Sequence, residues 1–201
     1  MRKIPFLVGS LRSDSLNKRL SRVAEQMLPE GFEAVRFDLS SIPLYNGDPK
    51  DDLTPASVQD LHGSIDRTDG VFWTTPEYNF AFPGVVKNVL DWASRPMLPR
   101  NSIVGKPINV AVATVSATNG IRALADLKRI WGNSGGLPIN GFDFVLQQAP
   151  SKFLEENGRD VLEPVSRATL RFNIDNLVRA IETDAGSLPS VNWDAFVESM
   201  A

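Results

Sequence analysis

Residues 9–17 read Gly9-Ser10-Leu11-Arg12-Ser13-Asp14-Ser15-Leu16-Asn17. Three hydroxyls (Ser10, Ser13, Ser15), an amide (Asn17) and a guanidinium (Arg12) crowd into this short stretch. Together they are donor chemistry for a terminal phosphate. A phosphate monoester carries about −1.5 to −2 charge and three strong acceptor oxygens. A helix start behind the loop adds free N–H groups and a positive partial charge, and Arg12 opposes the anion directly. The three glycines of a dinucleotide fingerprint and the lysine of a Walker A loop are absent. The same residues also make an ordinary capped helix start with Arg12 in solvent, and this loop alone does not choose between the two.

A second segment reads Thr75-Pro76-Glu77-Tyr78-Asn79-Phe80-Ala81-Phe82-Pro83-Gly84. Pro76 and Pro83 restrict the backbone at both ends. Between them lie backbone N–H groups and flat side chains. Such a surface suits a planar, partly apolar ligand with acceptors on its edge, of which an isoalloxazine ring is an example. A rigid turn whose Tyr78, Phe80 and Phe82 fill core or interface space accounts for the same residues.

Other chemistries are excluded by composition. The 201 residues contain no cysteine, so thiolate nucleophiles, disulfides and Cys-ligated metals are out. The single histidine, His62, rules out a multi-histidine metal site, and no metal centre is expected. His62 falls with Val58, Leu61 and Ile65 at helical spacing, which marks a structural residue beside a buried face. The net charge of −3 offers no basic surface for nucleic acid. No apolar run reaches the roughly 18 residues of a membrane span, and residues 4–8 are too short for a signal segment. The expected location is the cytoplasm, with no membrane partner.

The elements that must position the two loops follow from apolar periodicity. Strands are expected at residues 4–8, 34–39, 70–74, 108–115 and, less regularly, 139–146. Helices are expected at 16–28, from Thr54 and Pro55 onward, from Pro83 to about Arg95, at 121–131 and at 163–183. Strands separated by helices imply parallel crossovers covered on both faces. The expected fold is α/β, a flavodoxin-like, doubly wound, five-stranded parallel sheet of order 2-1-3-4-5, with helices on both faces. That order brings both loops to one crevice. Residues 94–106 and 147–159 read as long connections, which are often functional. Residues 1–186 form the domain. Within 187–201, Trp193, Phe196, Val197 and Met200 share one helical face with Asn192 as a cap, an extension that would dock on the domain or on a partner subunit.

Taken jointly, several segments resemble the NADPH-dependent FMN reductase family, including its chromate and quinone reductase members. They are Gly9-Ser10-Leu11-Arg12 with Ser15 and Asn17, then Pro76-Glu77-Tyr78-Asn79, then Pro83-Gly84 with Lys87-Asn88 and Asp91-Trp92 through Ser94-Arg95. Ile42-Pro43-Leu44-Tyr45-Asn46 is a lesser match. The resemblance implies non-covalent FMN as cofactor and NADPH or NADH as co-substrate. The acceptor would be a quinone, a free flavin, an azo compound or a metal oxyanion such as chromate. By position, Ser10, Arg12, Ser15 and Asn17 would bind the phosphate, and Pro76, Glu77, Tyr78 and Asn79 would line the ring and ribityl chain. The family loop after the fourth strand here reads Ser116-Ala117-Thr118-Asn119-Gly120, in which Ser116 and Gly120 would keep the flavin-closing role while Thr118 and Asn119 depart from the usual form. A homodimer or homotetramer is implied, with the flavin near a subunit boundary.

The flavin would carry the chemistry, so no catalytic side chain is assigned. Arg95 and Arg100 are candidates for the NADPH 2′-phosphate, against a reading as surface arginines. Two other classes stay open: a flavodoxin-like electron carrier without NAD(P)H turnover, and a protein that uses the crevice for a phosphate ligand other than flavin.

Overall fold

Strand β4 (Pro107–Ala113) is buried at every position, as expected of a strand covered on both faces. A computed structural model describes residues 1–48, 54–96, 101–141 and 143–183. In it β4 lies beside β3 (Val71–Thr74), which pairs with β1 (Arg2–Val8), which pairs with β2 (Phe32–Arg36). All of these pairings are parallel, and with β5 (Leu137–Pro138) beside β4 the order is β2-β1-β3-β4-β5, the flavodoxin-like order.

Alternate strand residues point to opposite faces, and two apolar layers result. On one face Ile4, Phe6, Phe72 and Ala111 meet α1 (Leu16–Glu25) and α5 (Pro164–Glu182) through Leu20, Val23, Ile174 and Leu177. On the other, Leu7, Trp73, Val110 and Val112 meet α2 (Ala56–Asp66), α3 (Gly84–Ala93) and α4 (Ile121–Asn133). Trp73 and Trp131 are fully buried there, edge to face with centroids 6.3 Å apart.

The structure differs from the sequence reading in three places. The fifth strand is two pieces, β5 (Leu137–Pro138) and β6 (Phe144–Leu146), each parallel to β4. Pro138 lacks an N–H, and the Asn140-Gly141 pair breaks the run between them. The expected long connection at 147–159 contains the start of an antiparallel hairpin, β7 (Phe153–Glu156) with β8 (Arg159–Leu162). Its turn is Asn157-Gly158 with φ of +53° and +73°, the strongest short hairpin signal in any sequence. The second strand ends at Arg36, because Asp38 caps a short 3-10 turn at Leu39–Ser41. The proposed C-terminal helix and Arg100 lie outside the described residues. No described helix is long and apolar enough to cross a membrane.

Candidate functional site

The ends of β1, β3 and β4 open into a cavity of about 360 Å³, within the range of small-ligand sites. This is the switch point of the sheet, where open α/β folds bind ligands. Three loops wall it.

The loop after β1 begins at Gly9, whose N–H continues the ladder to the Thr74 carbonyl at 2.7 Å. A Cβ at Gly9 would stand 2.5 Å from Val86 Cγ2 and 2.6 Å from Thr75 Oγ1. Glycine is needed for this close approach. Ser10 follows at 4% exposure, and its buried hydroxyl has no hydrogen-bond partner. An unpaired buried hydroxyl costs about 1–3 kcal/mol, and such groups call for an explanation. Ser15 caps α1, its Oγ accepting from Asn17 N and Lys18 N at 3.2 and 3.4 Å. Its own proton remains to donate. Arg12 reaches the cavity rim, where it forms an exposed fork with Asp14 at 3.0 Å. The Asp14 hydrogen bond raises the Arg12 pKa, and Arg12 in turn holds the Asp14 carboxyl below its usual range.

The loop after β3 brings Pro76, Glu77 and Tyr78 to the cavity. Tyr78 and Ala81 exchange backbone hydrogen bonds at 2.8 and 3.1 Å around a turn at Asn79 and Phe80, with φ of +50° and +68°. Two successive left-handed residues define the tight mirror-image turn. Asn79 tolerates that conformation well; Phe80 does not.

The loop after β4 adds Thr114, Val115, Ser116 and Asn119. Ser116 Oγ accepts from the N–H groups of Thr118 and Asn119 at 3.1 and 3.3 Å, which folds the loop back on itself.

Eight of the ten residues singled out from sequence line this one cavity: Ser10, Arg12, Ser15, Asn17, Pro76, Glu77, Tyr78 and Ser116. Asn79 and Gly120 do not line it. Asn79 is committed to the turn, and Gly120 sits behind the loop at the start of α4. Two of the eight have their side-chain polar groups engaged elsewhere. The Asn17 carboxamide bonds to the Ala113 backbone, and the Glu77 carboxylate bonds to the start of α4. Their spacing resembled a ligand set because they hold the ligand-facing loops. Asp14, Leu16, Ala113, Thr114, Val115 and Asn119 line it too and were not singled out. Asp14 and Leu16 lie inside the first loop, and Asn119 inside the loop after β4 that the resemblance had marked.

The matching segment at 42–46 has a structural cause. Asn88 accepts from Tyr45 N at 2.7 Å and donates to the Pro43 carbonyl at 2.9 Å, which also takes the Trp92 indole N–H at 2.9 Å. These residues bind the loop to α3. Arg95 does not reach the switch-point cavity. It lines a larger one of about 630 Å³ on the α2–α3 side, with Trp92 and His62. There the His62 Nδ1 meets Ser102 Oγ at 2.9 Å, and burial lowers the imidazole pKa. His62 is thus a partnered histidine.

The donor set fits a flavin mononucleotide. An orphaned hydroxyl, a capped helix start and a guanidinium gather at one end. At the other lie two loops with backbone and flat side chains. Among the described residues no cluster of carboxylate and histidine groups suits a metal ion.

Comparison with known proteins agrees. Residues 2–151 match the model of the family described as NADPH-dependent FMN reductase. An NAD(P)H-dependent FMN reductase of Pseudomonas aeruginosa is 31% identical over 167 residues, covering 80% of this chain and 89% of that protein. A 2-hydroxy-1,4-benzoquinone reductase of a Burkholderia species is 34% identical over 170 residues, covering 85% and 91%. The solved structure of the flavoenzyme NAD(P)H:(acceptor) oxidoreductase FerB from Paracoccus denitrificans superposes with a TM-score of 0.81 at 31% identity, covering 92% of this chain and 99% of that one.

Proposed function

Because this chain belongs to the NADPH-dependent FMN reductase family, we propose that it is an FMN-dependent oxidoreductase that takes reducing equivalents from NAD(P)H and delivers them to a quinone. Free flavin, azo compounds and chromate are further acceptors on the same reading.

The observation that carries the proposal is the buried, unpartnered Ser10 hydroxyl at the head of the switch-point cavity. A phosphate oxygen gives it the partner that the protein withholds. Ser10, Ser15 and Arg12 hold that phosphate, with the α1 dipole behind them. Pro76, the Glu77 backbone and Tyr78 form one wall of the ring slot, and the loop through Ser116 and Asn119 forms the other. FMN held there would supply two-electron redox chemistry between a nicotinamide and a second substrate. The chain contributes binding, orientation and partial exclusion of water, and no proton-transfer residue is needed at the slot.

Leu11, Tyr78, Phe80, Val115 and Ile121 are large apolar side chains exposed on or beside these loops. Clustered apolar exposure marks an interaction surface and supports a homodimer or homotetramer with the cavity near its boundary. A cytoplasmic location is consistent with the cysteine-free composition.

The test is the visible spectrum of the purified protein, with the flavin released and identified, followed by NAD(P)H oxidation with menadione. A yellow protein that releases FMN and turns over NAD(P)H is expected. A yellow protein without turnover marks an electron carrier instead. A colourless protein that refuses added FMN rules out the cofactor assignment.

A further inference from the structure

One buried carboxylate stands between the two loops that form the ring slot. The Glu77 side chain is 1% exposed. Its Oε2 accepts from the backbone N–H groups of Gly120, Arg122 and Ala123 at 2.9, 3.1 and 3.3 Å. Its Oε1 pairs with the Arg122 guanidinium at 3.3 Å. That guanidinium also lies 5.1 Å from the Phe80 ring centroid.

A helix start leaves four N–H groups without intrahelical partners, and a side chain at the N-cap normally takes one of them. Here the N-cap is Gly120, with φ of +114° and no side chain to offer. A Cβ there would lie 2.6 Å from Val145 Cγ1 and 2.9 Å from Val112 Cγ1. The position is therefore closed to the usual capping residues. The cap comes instead from a different loop, 43 positions upstream.

The consequence is mechanical. The loop carrying Thr114 to Asn119 ends at Gly120, and the loop carrying Pro76 and Tyr78 contains Glu77. One carboxylate fixes the distance between them. Beyond it, Asn79 and Phe80 hold left-handed backbone angles, a conformation that strains Phe80. Glu77 anchors that turn from one side, and the Arg122 contact with Phe80 anchors it from within.

We propose that Glu77 is a positioning residue that sets the width of the flavin slot, with Arg122 as its partner and Phe80 as the outer anchor. The proposal rests on reading this cavity as the FMN site. The Glu77 carboxylate touches α4, and its effect on the cofactor is indirect.

The test compares Glu77→Gln and Arg122→Ala with Asp160→Asn. The last variant breaks the Arg19–Asp160 ion pair, which has no part in the cavity lining. Glutamine keeps the volume and one acceptor oxygen but removes the charge behind the three N–H bonds and sets its NH2 against the Arg122 guanidinium, so the charged cap and the ion pair are both lost. Arg122→Ala leaves the backbone bonds and removes only the ion pair and the Phe80 contact. For each, FMN affinity and release rate are read from flavin fluorescence, the bound flavin's visible band is recorded, and apoprotein melting is measured. Glu77→Gln should weaken FMN binding at least about tenfold, speed its release and shift the visible band. Arg122→Ala should weaken it about threefold. Asp160→Asn should retain wild-type FMN binding at whatever melting temperature it shows. Wild-type affinity and spectrum in Glu77→Gln overturn the proposal. So does an equal loss of FMN in Asp160→Asn at matched loss of melting temperature, since stability alone then explains the effect. If Glu77→Gln does not fold, wild-type FMN binding by Arg122→Ala overturns it. A wild-type chain that takes up no FMN overturns the cavity reading itself.

Discussion

The Asn17 carboxamide and the Ala113 backbone close a two-bond ring across 96 positions of sequence: Ala113 N–H donates to Oδ1 at 2.8 Å, and Nδ2 donates to the Ala113 carbonyl at 2.9 Å. The Thr74 hydroxyl donates to the Asn17 carbonyl at 3.0 Å. The first turn of α1 is thus bonded to the ends of both β3 and β4. The helix N-terminus that is to meet a phosphate cannot move independently of the strands whose loops wall the cavity.

Asn17→Asp keeps the acceptor for Ala113 N–H but sets a carboxylate against the Ala113 carbonyl. The loss of one buried bond with its partner left unsatisfied costs about 1–3 kcal/mol, or about 2–4 °C of melting temperature per kcal/mol in a domain of this size. The added negative charge also opposes the phosphate, so FMN affinity should fall further than in Asn17→Ala. Calorimetry and fluorescence titration read the two effects. Wild-type values in both would remove Asn17 from the site.

Ser10→Ala should separate stability from binding. Deleting an unpartnered buried hydroxyl relieves a cost, so the apoprotein should melt at the same temperature or higher. FMN affinity should fall by roughly ten- to a hundredfold, because a hydrogen bond to a charged group contributes about 1.5–3 kcal/mol. A loss of apoprotein stability with FMN binding intact would assign Ser10 to the fold alone.

Asp14 competes with the phosphate for Arg12. Asp14→Asn frees the guanidinium and removes a like charge from the rim, and FMN should bind several-fold tighter at low salt. Because both groups are exposed, screening should shrink the gain as ionic strength rises. Weaker binding in this variant would show that Asp14 orients Arg12 rather than diverting it.

His62 gives a pH prediction with a definite sign. Burial lowers its folded-state pKa below the unfolded value near 6.5. As pH falls through that value the unfolded chain takes up a proton that the folded one resists, so stability declines. The contribution is present above the unfolded pKa and is lost as pH drops toward the folded one. His62→Gln should flatten the melting profile between about pH 7 and pH 5. An unchanged slope would overturn the assignment, since no other histidine exists in the chain.

If one slot at the switch point receives both substrates in turn, steady-state kinetics should be ping-pong, with NAD(P)⁺ leaving before the acceptor enters. Double-reciprocal plots at several acceptor concentrations should be parallel. Intersecting lines would require both substrates bound together.

Local chemistry made much of this protein legible in sequence. The apolar run of β4, the helical spacing of Leu20 with Val23 and Ala24, and the separation of strands by helices specify a parallel two-layered sheet. Once that order is set, Ser10 and Pro76 must share a crevice. Such features are readable because burial imposes periods of two and 3.6 on the chain itself. The Asn157-Gly158 turn carried a hairpin signal too, but residues 147–159 read as a long connection and the β7–β8 pair emerged only in the structure.

What each polar side chain does was decided by tertiary structure. Glu77 and Asn17 carry the right types at the right spacing for ligand contact, yet Asn17 spends its side chain on the Ala113 backbone, 96 positions away, and Glu77 spends its carboxylate on the Gly120 N–H, 43 positions away. A hydrogen bond has direction and range of about 3 Å, and no periodicity in sequence encodes which distant N–H a carboxylate will meet. The converse holds at Ser10, whose sequence resembled a routine helix cap. Its significance comes from the fold, which buries the hydroxyl and provides no partner for it. The loop from Ser10 to Asn17 thus carried donor chemistry suited to a phosphate that its sequence alone did not separate from a capped helix start, while the division between residues that face the cavity and residues that hold it open was settled only by packing.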